Sequence, residues 1–315
     1  MSGLATQTDS SAAAPLSGAA KYRLARQAAY AAIGVAVFLL MIKAVAGLLT
    51  GSVGLLGSLI DSTLDLAASL LNALALREAS LPADREHRFG HGKAEALAGL
   101  GQATLIAGSS AFLIFESVNR IAHPVALSHS AIGIAVIAVS MIATVVLVLY
   151  QKSVVRRTGS LAISADSLHY ASDLVLNGSV IVGLVMGGMM NLPRADAVVG
   201  LLVGFYIVYG AWRILRLAYD QLMDHEFDDS DRQKIKDIVA RNPHVRHMHD
   251  LRTRRSGLDS FIQLHIELDP QISLMKAHAI SDRVEAAIKA AFPHAEVIIH
   301  EDPAGVEDLS RLIEQ

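Results

Sequence analysis

Between residues 28 and 49 the chain carries one charged side chain, Lys43, in a stretch otherwise made of Ala, Val, Leu, Ile, Gly, Met, Phe and Tyr. A run of about 20 apolar residues crosses the ~30 Å hydrocarbon core of a bilayer, and one this long exceeds a signal-peptide core. Five further spans follow, at about 52–76, 94–118, 130–150, 161–188 and 195–217. Composition agrees: 52% of residues are hydrophobic and 18% charged, with mean hydropathy +0.42, where a soluble domain carries about 25% charged residues. Lys43 stands near the far end of its span, where a lysine can snorkel to the interface, so it is assigned no function.

The loops set the orientation. Lys21, Arg23 and Arg26 precede the first span; Arg77, Arg85, Arg88 and Lys93 follow the second; Lys152, Arg156 and Arg157 follow the fourth; Arg213 and Arg216 end the sixth. The opposite connections hold only Arg120 and Arg194. The positive-inside rule then places both termini in the cytoplasm, consistent with an even number of spans, which returns the chain to its starting side. Residues 1–20, rich in Ala, Ser and Thr, read as a disordered tail, 21–220 as the transmembrane domain, 221–303 as a cytoplasmic domain and 304–315 as a second tail.

The cytoplasmic domain is read from its periodicity. Asp228 to Asp231 offer an N-cap and an acidic first turn, with Ile235, Ile238 and Val239 at helical spacing and Pro243 beyond. Residues 246–255 and 259–268 read as strands, the second alternating Ile262, Leu264, Ile266 and Leu268 with Gln263, His265 and Glu267. An amphipathic helix over 273–291 and a strand over 295–300 complete an αββαβ order, a small α+β domain with helices on one sheet face.

Ionisable residues fall where lipid should be. Asp61 and Asp65 in the second span, and His169 and Asp173 in the fifth, are each four residues apart and so share a helix face. Charge at bilayer depth costs about 2.5–3.5 kcal/mol even on insertion scales. Three carboxylates with one imidazole and no base invite a cation. Three oxygens and one nitrogen suit a four-coordinate Zn²⁺, leave Cd²⁺ and Fe²⁺ open, and disfavour Mg²⁺ and Ca²⁺, which prefer all-oxygen shells. The bland alternative is polar glue between two helices. The absence of cysteine excludes disulfides and thiolate sites, and a net charge of −3 with 5% aromatic residues speaks against nucleic acid.

Two further clusters could bind metal. Asp84, His87 and His91 lie in the loop after the second span, where an ordinary polar loop is the competing reading. In the tail, His249, His265, His278, His300 and Asp302 could converge from strands and helix, while His225, His244, His247 and His294 read as solvated surface residues.

Taken together, four stretches resemble the cation diffusion facilitator family, within it the bacterial ferrous-iron/zinc/cadmium efflux pump type. They are Gly57 to Asp65, Pro82 to Glu95 with its His-Arg-Phe-Gly-His-Gly-Lys core, Asp166 to Asp173, and Ile298 to Pro303, and the likeness runs from about residue 25 to 303. The resemblance implies a homodimeric metal/proton antiporter of six transmembrane helices and a metallochaperone-like cytoplasmic domain, in the bacterial inner membrane. It implies a transport site of Asp61, Asp65, His169 and Asp173, a loop site of Asp84, His87 and His91, and a regulatory Zn²⁺ site of His249, His265, His278, His300 and Asp302. It also implies an interlock at the dimer interface pairing Lys93 with Asp224. Close relatives often carry Gln between the last two ligands; here the residue is Glu301.

The expected activity is export of Zn²⁺, with Cd²⁺ and Fe²⁺ as further substrates, in exchange for protons. An intramembrane metallohydrolase is one rival, but it needs a general base and an open coordination position, and the sequence holds no His-Glu-x-x-His. A membrane-tethered metal sensor is the other, and it leaves the four intramembrane ionisable residues unexplained.

Overall fold

A computed structural model describes residues 16–50, 53–122, 131–189 and 195–305. Six long helices come first: α1 (Gly18–Thr50), α2 (Val53–Ala79), α3 (Lys93–Ala122), α4 (Ala131–Thr158), α5 (Leu161–Met189) and α6 (Ala195–Leu222). The shortest, α2 with 27 residues, is about 40 Å long at 1.5 Å per residue, more than the hydrocarbon core needs. Among the described residues four helical segments are long and apolar enough to cross a membrane: Gly18–Leu48, Lys93–Asn119, Ala135–Thr158 and Ala197–Leu222. α2 and α5, which carry the ionisable residues, pack with them, α5 against α1, α2, α3, α4 and α6.

Small side chains make the close packing possible. On α1, Ala25, Ala28, Ala29, Ala32 and Ala36 form the buried stripe against α2 and α4, while Phe38, Met41, Val45 and Leu48 point outward. Without a hydrophobic drive between helices in lipid, close approach over small residues supplies the attraction.

α1 begins at Gly18, inside the stretch expected to be disordered. Ser17 Oγ accepts from Ala20 N at 3.2 Å as an N-cap. His294, expected to be a solvated surface residue, reaches across from the C-terminal domain: its Nδ1 accepts from Gly18 N at 3.1 Å and its Nε2 donates to Leu16 O at 2.5 Å. Most of both expected tails, residues 1–15 and 306–315, lies outside the described residues.

The C-terminal domain runs α7 (Asp229–Ala240), β1 (His247–Ser256), β2 (Asp259–Leu268), α8 (Leu274–Ala291) and β3 (Ala295–Pro303). Asp228 stands at the N-cap position of α7 without making a side-chain cap, whereas Ser273 caps α8. The sheet order is β1-β2-β3, with β1 antiparallel and β3 parallel to the central β2. Alternation in β2 buries Ile262, Leu264, Ile266 and Leu268 against Ile235 and Val239 of α7 and Ala277, Ile280, Val284 and Ile288 of α8. Both helices therefore cover one face, and the other face is left to the histidines.

The two domains meet at a tight junction. Asp224 follows α6 with φ 56°, and His225 N bonds Asp220 O at 2.9 Å, the Schellman pattern that usually takes glycine. The turn between β1 and β2 presses on the loop before α3. A Cβ at Gly92 would come within 2.1 Å of Ser256 O, so only glycine lets the backbones approach this closely. Gly257, at φ +61°, accepts from Gln221 of α6 at 2.9 Å through its carbonyl.

Candidate functional site

α2 presents Asp65, Ser69 and Asn72 along one stripe facing α5. Ser69 Oγ is 2.8 Å from Tyr170 Oη, and Asn72 Nδ2 donates to Ala162 O at 3.4 Å. Glu95, fully buried in the first turn of α3, accepts from Ser160 Oγ at 2.5 Å and Ala162 N at 3.2 Å, so it caps the start of α5. These bonds fix α5 beside α2 in the register that brings His169 to Asp65.

His169 Nε2 lies 3.1 Å from Asp65 Oδ1 and 3.7 Å from Asp173 Oδ2. One ligand atom from each of the three lies within 4.8 Å of the other two. Asp61, one turn along α2, is exposed and stands outside this triad. Lys43, given no function on sequence grounds, donates through its Nζ to Ser62 Oγ at 2.7 Å, next in sequence to Asp61.

The loop residues Asp84, His87 and His91 form a second group within the same spread. Asp84 lies 3.6 Å from His87 and 3.4 Å from His91, and Glu78 adds a carboxylate 3.8 Å from His91. Backbone N–H groups of His87 and Glu86 bond Asp84 Oδ1 at 2.6 and 2.8 Å and hold its carboxyl below the usual aspartate range. The loop is fastened to the C-terminal domain by Phe89, which meets Phe261 edge-on at 5.8 Å, with the Arg254 guanidinium over both rings.

The third group lies on the open sheet face. Strand register sets His249 opposite His265 and His265 opposite His300, so three imidazoles line up across three strands with centroids 5.0 and 4.6 Å apart. A bulge between His249 and Arg252, with Asp250 at φ 48°, bends β1 at this point. His249, His265 and Asp302 bring ligand atoms within 4.8 Å of one another. Glu267 lies 3.8 Å from His249 and Asp250 3.7 Å from His265, two carboxylates that sequence reading did not assign. His300 is 64% exposed and touches Asp302 at 3.3 Å from outside the group. His278, on α8, faces Asp282 at 3.7 Å and does not join it.

Lys93 and Asp224 pair within the one chain, at 3.0 Å, and Arg254 approaches the same carboxylate at 3.2 Å. Partial burial works to raise the Asp224 pKa, but the hydrogen bonds from Lys93 and Arg254 prevail and hold it below the usual range.

All three groups offer imidazole nitrogen and carboxylate oxygen, donors that suit a borderline divalent ion. Comparison with known proteins adds the following. Residues 29–223 match the cation efflux transmembrane domain, and residues 227–304 match the cation efflux protein cytoplasmic domain. The cation-efflux pump FieF of Serratia proteamaculans (strain 568) is 46% identical over 284 residues, covering 90% of this chain and 94% of that protein. The pump of the same name from Salmonella arizonae is 45% identical with the same coverage. Among solved structures, the putative zinc transporter CzrB in its zinc form is 28% identical over 27% of this chain and 98% of that one, with a TM-score of 0.26.

Proposed function

The chain belongs to the cation-efflux, or cation diffusion facilitator, family, and on this basis we propose that it is a homodimeric antiporter exporting Zn²⁺ in exchange for protons. Family membership makes it a membrane transporter of cations and not an enzyme. In our reading Cd²⁺ and Fe²⁺ are further substrates, the membrane is the bacterial inner membrane, and the basic loops keep both termini cytoplasmic.

The observation that carries the reading is the triad of Asp65, His169 and Asp173, gathered from α2 and α5 in the six-helix bundle. Two carboxylates and an imidazole neutralise and ligate a divalent ion, and Asp61 is the fourth donor once α2 and α5 close on it. Metal needs the free lone pair of neutral imidazole, and protons compete for that nitrogen and for the carboxylates. Metal loaded from the cytoplasm therefore displaces protons, and protons arriving from outside expel the metal. Rocking of the helices about a site near the midplane exposes the triad to each side in turn.

The other two groups have regulatory and loading roles in this account. His249, His265 and Asp302, with Glu267 and Asp250 beside them, would hold a Zn²⁺ that tightens the dimer. Asp84, His87 and His91 would take metal at the membrane face, with the loop coupled to the C-terminal domain through Phe89, Arg254 and Lys93.

The test is uptake of Zn²⁺, Cd²⁺, Fe²⁺ and Mn²⁺ by inside-out vesicles under an imposed proton gradient. Uptake of the first three against their gradients, collapsing with a protonophore, is expected. Metal that binds without crossing would make the protein a sensor; flux indifferent to the protonophore would make it a uniporter.

A further inference from the structure

α5 carries one more carboxylate than the triad uses. Asp166 is three residues before His169, outside the triad and fully buried. Its Oδ1 accepts from Gln102 Nε2 of α3 at 3.0 Å, and its Oδ2 accepts from Gln151 Nε2 of α4 at 2.5 Å. Both glutamines are buried too. Three helices thus meet at a carboxylate held by two neutral amides. The titratable groups acting on it are His169 and Tyr170 of its own helix and Asp65 of α2.

The amides are arranged at a cost. Each glutamine turns its NH₂ to Asp166, and each Oε1 is left buried without a hydrogen-bond partner among the described residues. An ionised carboxylate can only accept, so it dictates this orientation. Inside a helical bundle a stranded acceptor has little recourse, because backbone N–H groups are already spent on the helix. A stranded NH₂ has more, because helical carbonyls keep a second lone pair. If Asp166 takes a proton, its O–H can donate to one glutamine carbonyl after that amide turns over, and a freed NH₂ can share the second lone pair of a helical carbonyl. The cluster therefore has two hydrogen-bonded arrangements that differ by one proton.

The neighbouring charge selects between them. Three residues along a helix is a rise of about 4.5 Å. With the triad empty of metal and holding no more than one proton among its two carboxylates and one imidazole, Asp166 lies near a site of net negative charge. With a divalent ion bound there, it faces a more positive site.

We propose that Asp166 is a second proton-binding position of the transport cycle, separate from His169, and that Gln102 and Gln151 serve both of its forms by turning over. It releases one proton to solvent as metal binds the triad and regains one as metal leaves. This rests on the antiport reading above.

The test reconstitutes the full chain in proteoliposomes and follows Zn²⁺ and internal pH together, for wild type, Asp166→Asn and Asp166→Leu. Asparagine can accept from one glutamine and donate to the other, so it mimics the protonated form. Asp166→Asn is expected to move Zn²⁺ with one proton fewer per metal, and the slope of log half-saturating Zn²⁺ against pH should fall by one. Asp166→Leu, which loses both bonds, should transport less than Asp166→Asn. An unchanged proton count and slope in Asp166→Asn would overturn the proposal while leaving antiport intact. No proton movement in wild type would overturn the antiport reading and this proposal with it. Difference infrared spectroscopy covers the case of an inactive variant: Zn²⁺ should bleach a protonated-carboxyl C=O band in wild type that Asp166→Asn lacks. The same band in both would overturn the assignment.

Discussion

The membrane triad and the cytoplasmic histidine row bring the same ligand types to within 4.8 Å, but different geometry assembles them. His169 and Asp173 share a helix face because they are four residues apart, and Asp65 meets them through one helix contact. His249, His265 and Asp302 converge only because three strands hold a particular register across a bulge. The two regions also differ in redundancy. The cytoplasmic row has Glu267, Asp250 and His300 within reach, while among the described residues no fourth metal-ligating side chain joins the triad's group and Asp61 stands one turn away.

That contrast makes the largest expected effect a loss of function. Asp65→Ala, His169→Ala or Asp173→Ala should each reduce Zn²⁺ flux in vesicles to the level of protein-free controls, with the dimer still assembled by size-exclusion chromatography. Any single alanine in the cytoplasmic row should leave measurable flux. If His249→Ala is as dead as Asp173→Ala, the two regions do not differ as claimed.

A subtler change probes ligand type. His169→Asp removes the one nitrogen donor of the triad and should shift preference from Zn²⁺ and Cd²⁺ toward Mn²⁺, read as relative rates in competition assays. Identical rankings before and after would place selectivity elsewhere.

The triad was legible in the sequence because helical spacing is local: two i,i+4 pairs name their faces without any knowledge of packing. Asp166 was not, although it lies in a stretch singled out for its resemblance, because Gln102 and Gln151 come from distant positions and only helix packing brings them to it. His294 was misread for a related reason. It had a plausible solvent-exposed role by position, and it is bonded to the segment from Leu16 to Gly18, which sequence distance did not connect to it. The αββαβ order followed from alternation and turn residues. Which histidines would converge did not, since His278 and His300 look as eligible as His249 until the register is known.

Metal binding to the C-terminal domain should be a stability effect. Its core is built from its own side chains, so residues from 225 onward form a unit that can be studied alone. Zn²⁺ at a hundredfold excess over Kd should stabilise it by about 2.7 kcal/mol, or roughly 10–20 °C for a domain of this size. His249→Ala with His265→Ala should abolish the gain, and His300→Ala should keep most of it. A melting temperature indifferent to Zn²⁺ and chelator would remove this group from the account.

The smallest effect concerns the junction between the two regions. The Asp224 pKa is depressed in the folded chain, so its ion pairs stabilise fully above the unfolded aspartate value of about 3.9 and fade as pH falls through the folded value. Asp224→Asn should cost about 0.2–1 kcal/mol at pH near 7, as for partly exposed pairs, and nothing in strong acid. A cost that persists in acid would mean that the pairing with Lys93 and Arg254 is not its source.

The claim underlying all of this is that exchange of metal for protons takes place at the membrane helices around the triad, while the cytoplasmic row modulates. Zinc and pH indicators read simultaneously inside proteoliposomes test it, for wild type, Asp173→Ala and the His249→Ala, His265→Ala double variant. The account predicts opposed zinc and proton fluxes in wild type, slower fluxes with the same proton-to-zinc ratio in the double variant, and neither flux in Asp173→Ala. Coupled flux in Asp173→Ala, or a changed ratio in the double variant, would contradict it.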